Sequence, residues 1–198
     1  MITNMLFAAS LLMVAPAHAD FVVDTGVPAG PQALLFDAGN AFAGQFSLAA
    51  ATHVRAISGW LNDLGQGGTF TVALYADADK LPSAVLDDAQ ATFTTPTGEP
   101  GWNGARHLDW LLAAGTYWVA FQVDVLKGDS FSGSAPVQAP QPLLRYAFDD
   151  GSGYHTVAGF APGVQIEPVP LPGSFALLGG GLLGVTVLRA RRKARVEP

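Results

Sequence analysis

Two stretches of this 198-residue chain alternate apolar and polar positions with a period of two. In "TFTVALYA", Phe70, Val72 and Leu74 fall on one side and Thr69, Thr71 and Ala73 on the other. In "GTYWVAFQVD", Tyr117, Val119, Phe121 and Val123 point one way, and Trp118, Ala120 and Gln122 the opposite way. Successive side chains of a strand face opposite sides, so this spacing predicts two strands, each with one face for a core. "FAGQFSL", "THVRAISGW", "LLRYAF" and "GVQIE" carry the same pattern more weakly. Between them, Gly, Pro and Asp cluster at residues 63–68, 96–104, 127–142 and 149–153, which predicts turns. Short strands with frequent turns predict an all-β fold, a single antiparallel β-sandwich of jelly-roll type over residues 20–161. Within it the only helix expected is a brief one at 83–89. Residues 162–172 are rich in proline and predict an exit linker.

The pattern changes at both ends of the chain. Residues 6–14 are a nine-residue apolar run, broken by Pro16 and followed by Ala17-His18-Ala19. That order predicts a signal helix over 1–19, cut by signal peptidase between Ala19 and Asp20. It departs from the usual pattern in lacking Lys or Arg before the apolar run. At the other end, the eighteen residues 171–188 carry no charge. As a helix they would extend about 27 Å, just short of a hydrocarbon core. Nine large apolar side chains would favour insertion by roughly 3–5 kcal/mol. Five glycines weaken both helix and insertion, so 173–188 predicts a marginal transmembrane helix. Arg189, Arg191, Arg192, Lys193 and Arg195 follow it. Basic residues beside a span remain cytoplasmic, so 189–198 is expected inside and the body outside.

Composition sharpens this picture. Only 13% of residues are charged and 49% are hydrophobic, with 23 Gly and 14 Pro. Such a chain is too apolar for disorder and too rich in turn formers for a helical bundle. Residues 20–170 hold fifteen acidic and five basic side chains, and that sign repels phosphate. The body is therefore not expected to bind nucleic acid. With no cysteine, a disulfide scaffold, a thiolate metal site and a cysteine nucleophile within this chain are excluded.

Val169-Pro170-Leu171-Pro172, a Gly/Leu-rich span and a terminal Arg cluster together resemble the PEP-CTERM protein-sorting signal of Gram-negative bacteria. Leu171 stands where the family usually has Glu, although Val-Pro-Leu-Pro is a familiar variant. The resemblance covers about thirty residues. It implies recognition by an exosortase, a membrane transpeptidase-like enzyme with a catalytic cysteine, and cutting near the proline motif. The product would be released or attached at the cell surface, often among exopolysaccharide. Proline lacks an amide donor and resists helix, which would leave an extended, accessible segment outside the membrane. In the body, "LYADADKLPSAVL" and "LAAGTYWVAF" resemble the jelly-roll-like domains of the choice-of-anchor group.

The body offers little chemistry. His53, His107 and His155 do not stand at zinc-ligand spacing, and no G-x-S-x-G elbow occurs. Ser152 in "DDGSGYH" lies near Asp150 and His155, which reads better as a glycine-serine turn than as a triad. Asp77 with Asp79, and Asp149 with Asp150, follow strands and are weak candidates for holding Ca²⁺. Trp102, in the Gly-rich stretch "EPGWNGARH", is a candidate face for a sugar ring, whereas Trp60, Trp110 and Trp118 sit in apolar contexts that predict core. The expectation is a non-enzymatic exported protein with secretion machinery, exosortase and, transiently, the membrane as partners. A carbohydrate-binding module and a small secreted hydrolase are the alternatives.

Overall fold

A strand with one apolar face is stable only when that face meets another layer, and two stretches of this kind lie near the centre of the molecule. The computed structural model describes residues 21–29, 33–37, 39–61, 68–95, 100–123, 132–136 and 138–169. Twelve strands occur among them: β1 (Val23–Asp24), β2 (Ala33–Asp37), β3 (Ala41–Leu48), β4 (Thr52–Leu61), β5 (Gly68–Ala78) and β6 (Leu81–Thr95) in the first half. The second half adds β7 (Gly101–Leu112), β8 (Gly115–Val123), β9 (Ser132–Pro136), β10 (Arg145–Asp149), β11 (Tyr154–Thr156) and β12 (Val164–Pro168). A four-stranded sheet runs β1-β12-β4-β7, a six-stranded sheet runs β11-β10-β3-β8-β5-β6, and β2 pairs with β9 in a separate ribbon. Every pairing is antiparallel.

One apolar layer joins the two larger sheets, and they form a sandwich. Phe42, Phe70, Val72, Leu74, Val119 and Phe121 of the six-stranded sheet share a buried cluster with Val54, Ile57, Leu61, Val164 and Ile166 of the four-stranded one. Phe42 and Phe121 stack with centroids 5.2 Å apart, and Phe93 meets Phe121 edge-on at 6.3 Å. Each such side chain removed from water contributes about 1.5–3 kcal/mol. The facing expected for β5 and β8 from their alternation is the facing they adopt.

The centre of the outer face of the six-stranded sheet is also buried. Ala147, Ala43, Ala120 and Ala73 stand side by side in register across β10, β3, β8 and β5. Beside this row Trp118 is 0% exposed, and Tyr75, Leu81 and Tyr154 pack over the cluster. The covering comes partly from the β5–β6 hairpin. Asp79 and Lys80 at its tip have φ of 52° and 66°, which a type I′ turn requires at both central residues. Two register shifts between β5 and β6 then bend the hairpin, as bulges do.

Three expectations need correction. Residues 83–89 belong to β6 and are not helical: Val85 pairs with Tyr75 of β5 between two register shifts, and Asp88 has a φ of 59°, outside the α region. The linker expected at 162–172 begins inside the sheet, because β12 lies between β1 and β4 with Val164 and Ile166 fully buried. The body therefore continues to Val169 and does not end at 161. The turns expected at 96–104 and 127–142 are shorter, since β7 starts at Gly101 and β9 occupies Ser132–Pro136. The signal helix over 1–19 and the transmembrane helix over 173–188 lie outside the described residues. Among the described residues no helix is long and apolar enough to cross a membrane.

Candidate functional site

The last strand carries the chain out of the body, and its sequence explains where it stops. In "GVQIEPV", Val164 and Ile166 face the core while Gln165 and Glu167 are half-exposed. At the start of β12, the Val164 amide donates to Thr25 Oγ1 at 2.7 Å, and the Thr25 amide donates to the Val164 carbonyl at 3.0 Å. Toward its end, the Val22 amide donates to Ile166 O at 2.9 Å, and the Val169 amide donates to His53 O at 2.7 Å. The next residue is Pro170, which has no amide to offer. Proline also holds the residue before it in extended geometry, which suits Val169 to its place beside β4. The ladder therefore ends chemically at the Val169–Pro170 bond.

An ion pair and a histidine–carboxylate contact flank this exit. Arg55 on β4 donates to Glu167 on β12 at 2.9 Å, and His53 Nδ1 lies 3.4 Å from Asp109 on β7. The His53–Asp109 contact is largely exposed and contributes no more than about 1 kcal/mol, whereas Glu167 in the other pair is mostly covered. The strand end is thus tied to β4 chiefly by backbone and by the buried valine and isoleucine.

The residues that begin at this strand end, and run on past it, carry the assignment. Residues 168–193 match the PEP-CTERM protein-sorting motif. No curated protein matches the chain. The PEP-CTERM segment opens on Pro168 and Val169, which also close the sheet, so signal and body overlap by two residues. A PEP-CTERM signal directs export, exosortase processing and sorting to the cell surface. Of the motif residues, Val169 is described and exposed at 43%. Pro170, Leu171 and Pro172, the basic cluster Arg189, Arg191, Arg192, Lys193 and Arg195, and the cleavage residues Ala17, Ala19 and Asp20 lie outside the described residues.

The other candidates fall elsewhere and are not brought together. Trp102 is not in a loop: it lies on β7, opposite Trp60 of β4, and the rings meet edge-to-face at 5.3 Å. Both are half-buried. Trp110 is also half-buried, which leaves Trp118 as the only one of the three expected core tryptophans that is fully enclosed. Gly104, two residues after Trp102, leaves no room for a side chain: a Cβ there would clash with the Ile57 carbonyl of β4.

The acidic pairs already have protein donors. Asp77 Oδ1 accepts from Trp118 Nε1 at 2.7 Å and from Gln45 Nε2 at 2.6 Å. Its neighbour Asp79 forms the hairpin tip. Asp149 Oδ1 accepts from the amides of Gly151 and Gly153, and Asp150 Oδ1 from the amide and hydroxyl of Ser152. The Ser152 bonds lower the Asp150 pKa, the hydroxyl more than the amide. These carboxylates hold their own turn in the manner of Asx turns. The ring of His155 lies edge-on to Phe148. Among the described residues, no group of three or more His, Asp or Glu side chains is placed to hold a metal ion. Sequence reasoning missed the part played by Asp77, for which "YADADK" gives no signal beyond a turn. It also missed the His53 carbonyl, since backbone partners follow from register and not from residue type.

Proposed function

We propose that this chain is an exported, non-enzymatic β-sandwich of jelly-roll type, delivered to the envelope surface or the surrounding matrix. Signal peptidase frees it between Ala19 and Asp20 after the secretion machinery has moved it outward. The thin span at 173–188 holds it briefly in the membrane with the basic tail inside, and an exosortase acts at Val169-Pro170-Leu171-Pro172. The observation that supports this reading best is the sorting motif beginning at the residue where the last buried strand ends. Cutting upstream of Val169 would take a central strand out of the four-stranded sheet, so the cut belongs downstream.

Mass spectrometry of the mature protein from its native host tests the proposal. The expected species begins at Asp20, retains Val169 and lacks residues 189–195. A surface form that keeps Arg189–Arg195 would sink the processing step, and an intact cytosolic chain would sink export.

A second reading rests on the Trp60–Trp102 pair, half-exposed on β4 and β7, which could stack on a sugar of the surrounding polysaccharide. Retardation in a polysaccharide affinity gel, abolished by Trp102→Ala, would establish it. Wild-type migration unaffected by polysaccharide would remove it.

A further inference from the structure

We infer that the end of the body from which the chain leaves rests on the bilayer surface while the anchor is in place, with Phe21, Leu111 and Val169 in contact with lipid. The inference depends on the proposed reading that 173–188 inserts, and it adds an orientation and a contact surface to it.

The register places the three residues at one end of neighbouring strands. Val23 pairs with Ile166, which sets Phe21 beside the end of β12; Pro168 pairs with Val54; and His53, whose carbonyl receives the Val169 amide, pairs with Leu111. All three side chains are open to solvent, at 39%, 63% and 43% respectively. Two turns at this same end are made of small apolar residues, Ala49-Ala50-Ala51 between β3 and β4 and Ala113-Ala114 between β7 and β8, and all five are exposed. Trp110, half-buried, adjoins Leu111, and an aromatic of this kind suits a membrane interface.

Two acidic groups at this end have a basic neighbour, Glu167 in Arg55 and Asp79 in Lys80 at the hairpin tip, and Asp109 faces His53 at 3.4 Å. Asp87 and Asp88 on β6 line one hollow with Asp109 and Leu111, and among the described residues no basic side chain lines it. At the opposite end the β10–β11 turn reads Asp-Asp-Gly-Ser-Gly.

Chain length selects the occupant. Three residues, Pro170, Leu171 and Pro172, separate Val169 from Gly173, where the proposed span begins. Even fully extended, that connection reaches about 13 Å. Interfacial side chains sit about 5–10 Å deep, so a body tethered this closely meets the headgroups through whatever surrounds its exit. A second copy of the chain has no comparable tether.

The absence of native cysteine allows a clean test on the full-length protein. Single variants Leu111→Cys, Thr94→Cys and Leu182→Cys, each carrying an environment-sensitive fluorophore, are reconstituted in phosphatidylcholine vesicles containing a doxyl lipid quencher. Thr94 is exposed near the far end of β6, and Leu182 lies within the span. The expected result is that the probes at 111 and 182 lose about half or more of their emission while the probe at 94 loses little, as an interfacial depth of about 5–10 Å requires. Adding Phe21→Ser should reduce quenching at 111.

Quenching at 182 but no more at 111 than at 94 overturns the inference and leaves the anchor standing. No quenching at 182 overturns both. Shielding of the probe at 111 from aqueous iodide in detergent, growing with protein concentration, would mean that a second copy covers this end and would also overturn the inference.

Discussion

The inner face of the six-stranded sheet and the centre of its outer face are both buried, by different means. The inner face is filled by large side chains, among them Phe42, Phe70, Phe93 and Phe121, that meet the opposing sheet. The outer face carries a row of alanines and a single large residue, Trp118, enclosed by two tyrosines and a bent hairpin. The inner burial is collective, and any one residue has many partners. Outside, the cover depends on one polar contact, in which Asp77 receives both the indole of Trp118 and the amide of Gln45. A buried polar donor costs little when paired and much when orphaned, so the outer face should fail at a point where the inner face degrades gradually.

The largest effect is expected on the inner side. Phe121→Ala removes a fully buried ring that touches both Phe42 and Phe93, and should cost about 3–5 kcal/mol. Chemical denaturation of the full chain would show this as a lower midpoint with an unchanged slope. A loss below about 1 kcal/mol, the range of an exposed position, would mean that the two sheets do not pack as described.

Asp77→Ala is the matching test outside. Asp77 itself is exposed, and by location alone its replacement should be neutral. With Trp118 Nε1 and Gln45 Nε2 left without their acceptor in a buried setting, a loss of about 1–3 kcal/mol is expected. Asp77→Asn keeps an oxygen in place and should recover part of it. Tryptophan emission of Asp77→Ala should shift to the red if the indole becomes wet. Equal stabilities for the alanine variant and the wild type would remove the polar contact from the account of this face.

How much of this was legible beforehand differs between the two faces. Alternation in "GTYWVAFQVD" assigned Tyr117, Val119, Phe121 and Val123 to one side, and they line the core. The same alternation placed Trp118 and Ala120 opposite, but period-two spacing cannot say whether the second side is wet. That depends on a hairpin folding back from distant sequence. β6 and β7 were harder to read because bulges interrupt their period: Ala73 pairs with Gln90 while Tyr75 pairs with Val85, and His107 takes a φ of 60° where β7 bulges against β4. At the exit, the alternation in "GVQIE" pointed to a strand, while proline content pointed to a linker. The buried valine and isoleucine decided it. The sorting motif was legible because it is a linear signal, read from order and composition without any fold.

A smaller gain is expected at the hairpin tip. Lys80 holds a left-handed conformation that costs an L-residue roughly 1–2 kcal/mol, and Gly adopts it freely at some entropic expense. Lys80→Gly should therefore stabilise by about 0.5–1 kcal/mol. The gain should disappear in the Asp77→Ala background if the hairpin cover has already lifted, which a double-mutant comparison of denaturation midpoints would reveal.

The last comparison produces no change near neutral pH and separates the faces by their tyrosines. Tyr146 lies with the inner cluster and Tyr154 with the outer one, and burial raises the pKa of both above the usual value near 10. At Tyr146 a hydrogen bond from the Leu143 amide partly opposes the rise; at Tyr154 the neighbouring Tyr75 adds to it. A raised folded pKa means that the folded state holds the proton more tightly than the unfolded one. The associated stability is fully present below about pH 10 and drains away as pH rises above it. Absorbance at 295 nm should accordingly show a late-ionising population, diminished by Tyr146→Phe and again by Tyr154→Phe. If only Tyr146→Phe diminishes it, Tyr154 titrates as an ordinary surface phenol, the outer face is open to water, and the distinction drawn between the two faces becomes one between a buried face and an exposed one.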